Sequence, residues 1–405
     1  MAAARPNVRR GSRLSGLAAS LLTGLDPVLV MVTGTLVAVG LVMVYSSSFV
    51  FAKDTLGDGL FFLKRQALFA LGGAFVLLLL AKIPFQVWNR LAWPLLLASY
   101  ATLLAVLVPG VGVSIGGAQR WLALPGFTFE PSEFAKLAVV IFLAHSLAVK
   151  GEGVRDFKQG LLPHVAVAGA FVIAIMRQPD FGTCITIGLV TLVMLFVAGV
   201  RWHHLAALMA SALPLLVVAI LCAEYRLRRV AAFLSPWDDP LGHGFQIIHS
   251  FLAFGSGGLL GQGAGAGLQK LWYLPQSHTD FIFSVLAEEL GLIGVAFVVA
   301  LFLVLIVRGI MLSARASNAG NRFGSFLALG LTLMIGLQAV INIAVVMGLL
   351  PTKGLTLPFI SYGGTSLALN LIAVGMLLNI ARQLAGAAKP AATAKPGWPE
   401  RLRRA

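Results

Sequence analysis

The sequence predicts an all-α polytopic membrane protein with ten transmembrane helices. Of its 405 residues, 59% are hydrophobic and only 11% are charged. Its mean hydropathy is +0.92. Its apolar residues gather into ten runs, most close to the ~20 residues a helix needs to cross about 30 Å of hydrocarbon. A water-soluble domain is excluded on composition alone.

The runs lie at roughly 27–48, 66–81, 91–109, 132–149, 161–176, 182–199, 205–223, 282–307, 324–349 and 363–381. Charges, Pro or Gly bound each of them. Arg5, Arg9, Arg10 and Arg13 precede the first run like the basic end of a secretory signal. That run is too long, however, and it ends in Tyr45-Ser46-Ser47-Ser48 with no cleavage-like pattern. Cys184 and Cys222 fall within or at the end of apolar runs, where a disulfide framework has no role.

An even number of crossings puts both termini on one side. The termini and the loops 82–90, 150–160, 200–204 and 308–323 carry 19 of the 30 Lys and Arg residues, but only Asp26, Glu152, Asp156 and Glu400 among the acids. The positive-inside rule makes that side cytoplasmic. The whole net charge of +15 is then explained by membrane insertion, and a nucleic-acid partner is rejected. The organisation expected is a basic arm (1–26), a ten-span domain (27–384) and a disordered basic tail (385–405).

One connection is long, residues 224–281 between the seventh and eighth spans, and this topology places it outside the cytoplasm. Trp237, Trp272 and Tyr273 suit a membrane interface, and Phe245–Leu252 has apolar residues at helical spacing suited to lying on one. The glycine run from Gly255 to Gly267 contains a match to G-x-G-x-x-A at 261–266. No strand precedes it, and Lys270 does not follow a glycine as a P-loop requires, so no nucleotide cofactor is expected. Two readings remain for the run: a backbone cradle for phosphate, and a tight re-entrant turn needing positive φ.

Asp280 stands where the long loop enters the eighth span. Its residues alone favour a helix N-cap; the functional alternatives are a general base and a cation ligand at the water–lipid boundary. A helix N-terminus would favour its charged form, which suits a cation ligand better than a base. Glu288 and Glu289 lie about 12 Å further along the helix. Adjacent carboxylates project differently, so one is expected at a cavity and the other at a basic partner. The seven histidines show no metal-ligand spacing, and His203-His204 reads as interfacial.

These motifs resemble a known family. HTDFIF with EELG (278–283, 288–291), RQPDFGT (177–183), RW followed by PSEFAKL (120–121, 131–137) and LPTKGLTLPFISYGG (350–364) look like the SEDS proteins of shape, elongation, division and sporulation. The likeness runs from about Asp26 to Arg382, and its PTKGLTLP and ISYGG segment is more like the division branch than the elongation branch. It implies a peptidoglycan glycosyltransferase that polymerises lipid II into glycan strands at the septum, in the cytoplasmic membrane. It also implies a class B penicillin-binding protein and other division membrane proteins as partners. Asp280 matches the family's essential aspartate, which activates the acceptor sugar hydroxyl directly or through a divalent cation, magnesium or manganese.

A pyrophosphate leaving group calls for positive charge or a metal. Arg120, Lys136, Arg177, Lys270 and Lys353 lie on the outer side or just inside it. Glu133, three residues before Lys136, reads as its neutralising partner, and the resemblance adds a place in the substrate cavity for both. Arg177 and Asp180 flank a Gln-Pro turn and are candidates to pair with each other. His278 is a candidate donor behind Asp280. Gln276, His249, Ala264 and Ala266 depart from the family pattern; Gln276 removes a carboxylate that could join Asp280 on a cation. Two other functions compete: a lipid II flippase and a non-catalytic division scaffold. Transporters gather polar groups at the midplane between inverted repeats, whereas these motifs cluster at the outer rim.

Overall fold

The computed structural model describes residues 24–115, 117–270 and 277–387. The basic arm, the tail from Lys389, and Trp272, Tyr273 and Gln276 lie outside the described residues. Twelve helices are described: α1 (Pro27–Leu56), α2 (Phe61–Leu80), α3 (Gln86–Leu107), α4 (Pro131–Lys150), α5 (Leu162–Met176), α6 (Phe181–Val197), α7 (Trp202–Leu221), α8 (Glu224–Leu234), α9 (Phe245–Gly257), α10 (Ile282–Asn318), α11 (Arg322–Val346) and α12 (Gly364–Ala387). Each of the ten apolar runs falls on one of them. Among the described residues nine helical segments are long and apolar enough to cross a membrane, and α6 is a shorter apolar helix. This is a multi-pass membrane protein.

Local chemistry sets the helix ends. Asp26 caps α1, accepting from the Val28 and Leu29 amides at 3.0 and 3.2 Å ahead of Pro27. The same carboxylate pairs with Arg308 on α10 at 3.0 Å. The beginning of α1 therefore lies at the same end of the bundle as the 308–323 loop, as the charge count requires. α4 and α11 bury 72% of their apolar windows and α12 buries 78%, whereas α7 buries 6%. The first three form the middle of the bundle, and they bury Glu133, Lys136, Gln338, Asn342 and Asn370 among their polar side chains.

Between α3 and α4 the structure adds an element that an all-helical reading does not contain. Strands β1 (Gly112–Ile115), β2 (Ala118–Leu124) and β3 (Phe127–Phe129) form an antiparallel sheet in the order β1-β2-β3. The Pro125-Gly126 turn joins β2 to β3, with Leu124 paired to Phe127 and Gly126 at φ 86°. The sheet presents Arg120 to the bundle.

The long loop folds onto α10. α9 does not lie alone on a surface: Ile247, Ser250 and Ala253 are buried, and the Ser250 hydroxyl meets that of Ser284 at 2.8 Å. Its opposite face leaves Phe251 and Leu252 exposed. The glycine run then re-enters α10 at Gly291, whose φ of 64° breaks the helix. The Leu292 and Ile293 amides, which an unbroken helix would bond to residues 288 and 289, donate to Gly258 and Leu259 carbonyls at 2.9 and 3.2 Å. The carbonyls of Glu288 and Glu289 accept from Gln262 and Gly263 at 3.0 Å each. The loop is spliced into the hydrogen-bond ladder of the helix. Only glycine fits this joint, since a Cβ on Gly291 would stand 2.3 Å from the Gly261 nitrogen.

Candidate functional site

Asp280 lies in the turn before α10, held by its backbone. The Asn342 amide donates to the Asp280 carbonyl at 3.0 Å and to the Leu355 carbonyl at 2.6 Å. Ser361 donates to the Thr279 carbonyl at 2.6 Å, and the Tyr362 amide donates to the His278 carbonyl at 2.9 Å. The motifs at 278–283 and 350–364 are thus one structure. Asp280 is not the N-cap of α10, because Phe281 occupies that position. Burial raises its pKa to about 6 against the opposing pull of Arg120 and Arg229. That shift suits a base, whereas the N-cap reading favoured a permanently charged ligand. The His278 ring packs among Phe62, Phe51 and Tyr362, and burial lowers its pKa to about 4, so it is a neutral packing group at pH 7.

Arg120 reaches in from β2. Its Nε and Nη2 donate to the carbonyls of Gln178 and Pro179 at 2.9 and 2.5 Å. Its Nη1 and the Asp280 Oδ2 both face Gly354, where a Cβ would stand 3.5 Å from each. Glycine at 354 keeps the space between cation and carboxylate open.

A second group of cations comes from α8, which the sequence reading did not single out. Arg229 donates to the Thr352 carbonyl at 3.4 Å and feels the charges of Arg120 and Asp280. Arg226 lies 5.5 Å from the Phe181 ring centroid, and Lys353 lies 5.4 Å from the same centroid. Burial pulls the Lys353 pKa down to about 8. Neither these three nor Arg120 forms an ion pair within 4.0 Å among the described residues, whereas Arg228 is paired with Glu224. Cations without carboxylate partners, Arg120, Arg226 and Lys353 half-buried and Arg229 exposed, make an anion-attracting wall. The available signal was YRLRR at 225–229, a basic run on the otherwise charge-balanced side.

Behind this wall Lys136 bonds Glu133 at 2.6 Å and the Gln338 carbonyl oxygen at 2.5 Å, all three buried. Gln338 and Asn342 stand one turn apart on α11 and hold the two halves of the site: the PSEFAKL pair and the Asp280 turn. Two amides four residues apart in an apolar span were the signal for them. Glu130, just ahead of α4, was also missed. Its carboxyl is raised to about 8, first by burial and then by Glu133 and Asp180, so it carries a proton at neutral pH. Asp180 caps α6 through the Thr183 amide at 3.1 Å.

Other candidates stand elsewhere. Arg177 is exposed and makes no ion pair with Asp180. Lys270 binds Glu289 at 2.7 Å, Ser46 at 2.9 Å and the Gly265 carbonyl at 2.7 Å. Glu288 accepts from the Leu268 amide at 2.8 Å, and Glu289 accepts from the Gly265 amide at 3.0 Å. Both carboxylates therefore turn to the glycine loop, which cradles these protein anions rather than offering its amides to a phosphate.

The donor set fits a resident divalent cation poorly. Asp280 is one carboxylate facing two guanidinium groups, and among the described residues no group of three or more His, Cys, Asp or Glu side chains is placed to hold a metal.

Residues 27–386 match the FtsW/RodA/SpoVE family model, described as cell cycle protein. The chain belongs to this family, the SEDS proteins. This SEDS chain is 47% identical over 362 residues to the probable peptidoglycan glycosyltransferase FtsW of Geobacter sulfurreducens, covering 89% of this chain and 96% of that one. It is 44% identical over 360 residues to the stage V sporulation protein E of Bacillus subtilis, covering 89% and 98%. Among solved structures it resembles one described as "Structural coordination of polymerization and crosslinking by a peptidoglycan synthase complex", with a TM-score of 0.73 and 32% identity over 90% of this chain and 99% of that one. It also resembles the rod shape determining protein RodA of Thermus thermophilus, with a TM-score of 0.65 and 29% identity over 89% and 98%.

Proposed function

We propose that this SEDS protein is a peptidoglycan glycosyltransferase that polymerises lipid II at the division septum. The observation that carries the reading is Asp280: a carboxylate with a raised pKa beside unpaired cations at one end of a membrane bundle. The names of its relatives give the reaction class, and those called FtsW favour division. The 4-hydroxyl of the acceptor sugar attacks the anomeric carbon of the donor, and its proton passes to Asp280. The bond from that carbon to the lipid pyrophosphate breaks, with inversion. Arg229, Lys353 and Arg226 hold the departing pyrophosphate, and Arg120 orients the Asp280 side of the site.

Both substrates are prenyl-anchored, so the site belongs at headgroup height on the outer face of the cytoplasmic membrane, with both termini inside. A divalent cation carried in by the pyrophosphate would find Asp280 as its single carboxylate ligand on the protein. A class B penicillin-binding protein is the partner, in line with the synthase complex that this fold resembles.

The test supplies labelled lipid II to the purified protein with its partner and reads glycan length on a gel. Polymer from wild type and none from Asp280→Ala is expected. Equal polymer from both overturns the assignment of Asp280. Lipid II translocation in liposomes without polymer establishes a flippase instead.

A further inference from the structure

Residues 107–129, the connection that carries the sheet, hold one charged side chain, Arg120. That side chain turns inward, to the Gln178 and Pro179 carbonyls. What the connection shows outward is apolar: Val108, Val111, Leu124 and Phe127 are exposed, and every residue from 123 to 128 at the tip of the β2–β3 hairpin is exposed with them. Water is an unfavourable medium for such a surface.

Two rulers give the height of the tip. Phe127 packs edge-on against Phe69 of α2 with ring centroids 5.9 Å apart, whereas Phe62, at the head of the same helix, packs on His278 beside Asp280 at 4.8 Å. Phe62 to Phe69 is about 10 Å of α-helix, so the tip lies that far below the Asp280 turn. The strand agrees. Arg120 shares the gap at Gly354 with Asp280, and from Arg120 to Leu124 is about 13 Å of β2.

On α2 that depth is hydrocarbon. The charges of α2 end at Lys64 and Arg65, residues 67–80 are entirely apolar, and Leu68 and Leu71, on either side of Phe69, are 71% and 72% exposed, as on a lipid-facing helix. The turn suits this medium. Leu124 and Phe127 pair across it, and Pro125 has no N–H to leave without an acceptor.

We propose that the turn at 124–127 is a re-entrant anchor in bilayer lipid, and that the leaflet it enters sets the height at which Arg120 stands beside Asp280. On the orientation given above this is the outer leaflet. Lipid is the occupant because the tip lies level with apolar, lipid-facing side chains, below the reach of a partner's soluble domain.

The test places a nitroxide at Leu124→Cys in a Cys222→Ser background, with the full chain in vesicles of phosphatidylethanolamine and phosphatidylglycerol. Leu71→Cys and Lys53→Cys serve as lipid and water references. The label at 124 is expected to collide with oxygen as the one at 71 does, and with a polar nickel chelate about tenfold less than the one at 53. Nickel access equal to that at 53 overturns the proposal. So does protection of 124 from both reagents, whether alone or only with the transpeptidase partner bound, since the tip would then be covered by protein. A second arm reads the link to Arg120: at an unchanged melting temperature Leu124→Asp is expected to lower polymer yield about tenfold, while Leu124→Met keeps it. Full activity of Leu124→Asp, or an equal loss in Leu124→Met, overturns the role of the leaflet. A wild type that makes no polymer refutes the polymerase reading instead, and the collision arm still decides the anchor.

Discussion

The side-chain amide of Asn342 donates to the backbone carbonyl of Asp280 at 3.0 Å, so a residue 62 positions downstream aims the aspartate. Asn342→Leu leaves the carbonyls of Asp280 and Leu355 without this donor, lowering the unfolding free energy by about 1–3 kcal/mol. Polymer yield per folded protein is expected to fall at least about tenfold, a further ~1.4 kcal/mol on the barrier. Thermal unfolding and gel assays on matched samples separate the two effects; an unchanged yield per folded protein removes Asn342 from the site.

Gly354 tests whether the space between Arg120 and Asp280 is used. A Cβ at 354 meets only the Arg120 and Asp280 side chains, at ordinary contact distance, and the position has no positive φ. Gly354→Ala is therefore expected to fold with an unchanged melting temperature while losing polymerisation about tenfold or more. A fully active variant would mean that the acceptor does not pass through this gap.

Activity should follow a bell with limbs near the two shifted groups. Asp280 must be ionised, so activity falls as pH drops through about 6. Lys353 must be charged, so activity falls as pH rises through about 8. Lys353→Arg keeps its cation at every accessible pH and should abolish the alkaline limb alone. An alkaline limb that survives in that variant is due to another group.

The Glu133–Lys136 pair is buried and 2.6 Å long. Lys136→Met strands a carboxylate and is expected to destabilise the protein by about 3–5 kcal/mol. Adding Glu133→Gln removes the stranded charge and should recover most of that loss. Polymerisation by the double variant reports whether the pair serves the reaction; full activity would make it purely structural.

The spans were legible because hydropathy acts locally: each apolar run reports its own burial in lipid, and each became a helix. The sheet that carries Arg120 was not, because strands of 3 to 7 residues leave little periodicity in a loop, although Pro125-Gly126 marked its turn. Asp280 was legible through its motif. Its neighbour Arg229 was not, since it lies 51 residues upstream on a helix whose docking depends on the whole bundle. The pairing of Lys270, a candidate for phosphate, was not legible for the same reason: its partners Ser46 and Glu289 come from α1 and α10.

The splice at Gly291 gives the loop a lifetime set by the bundle. If Gly258–Gly263 peeled away, four backbone groups of α10 would lose their partners together in a medium without water to replace them. The amides of Gln262, Gly263, Leu292 and Ile293 are consequently expected to open and close as one unit, which hydrogen–deuterium exchange would read as a shared, slow rate. A segment that composition marks as pliable is thereby tied to the helix it joins.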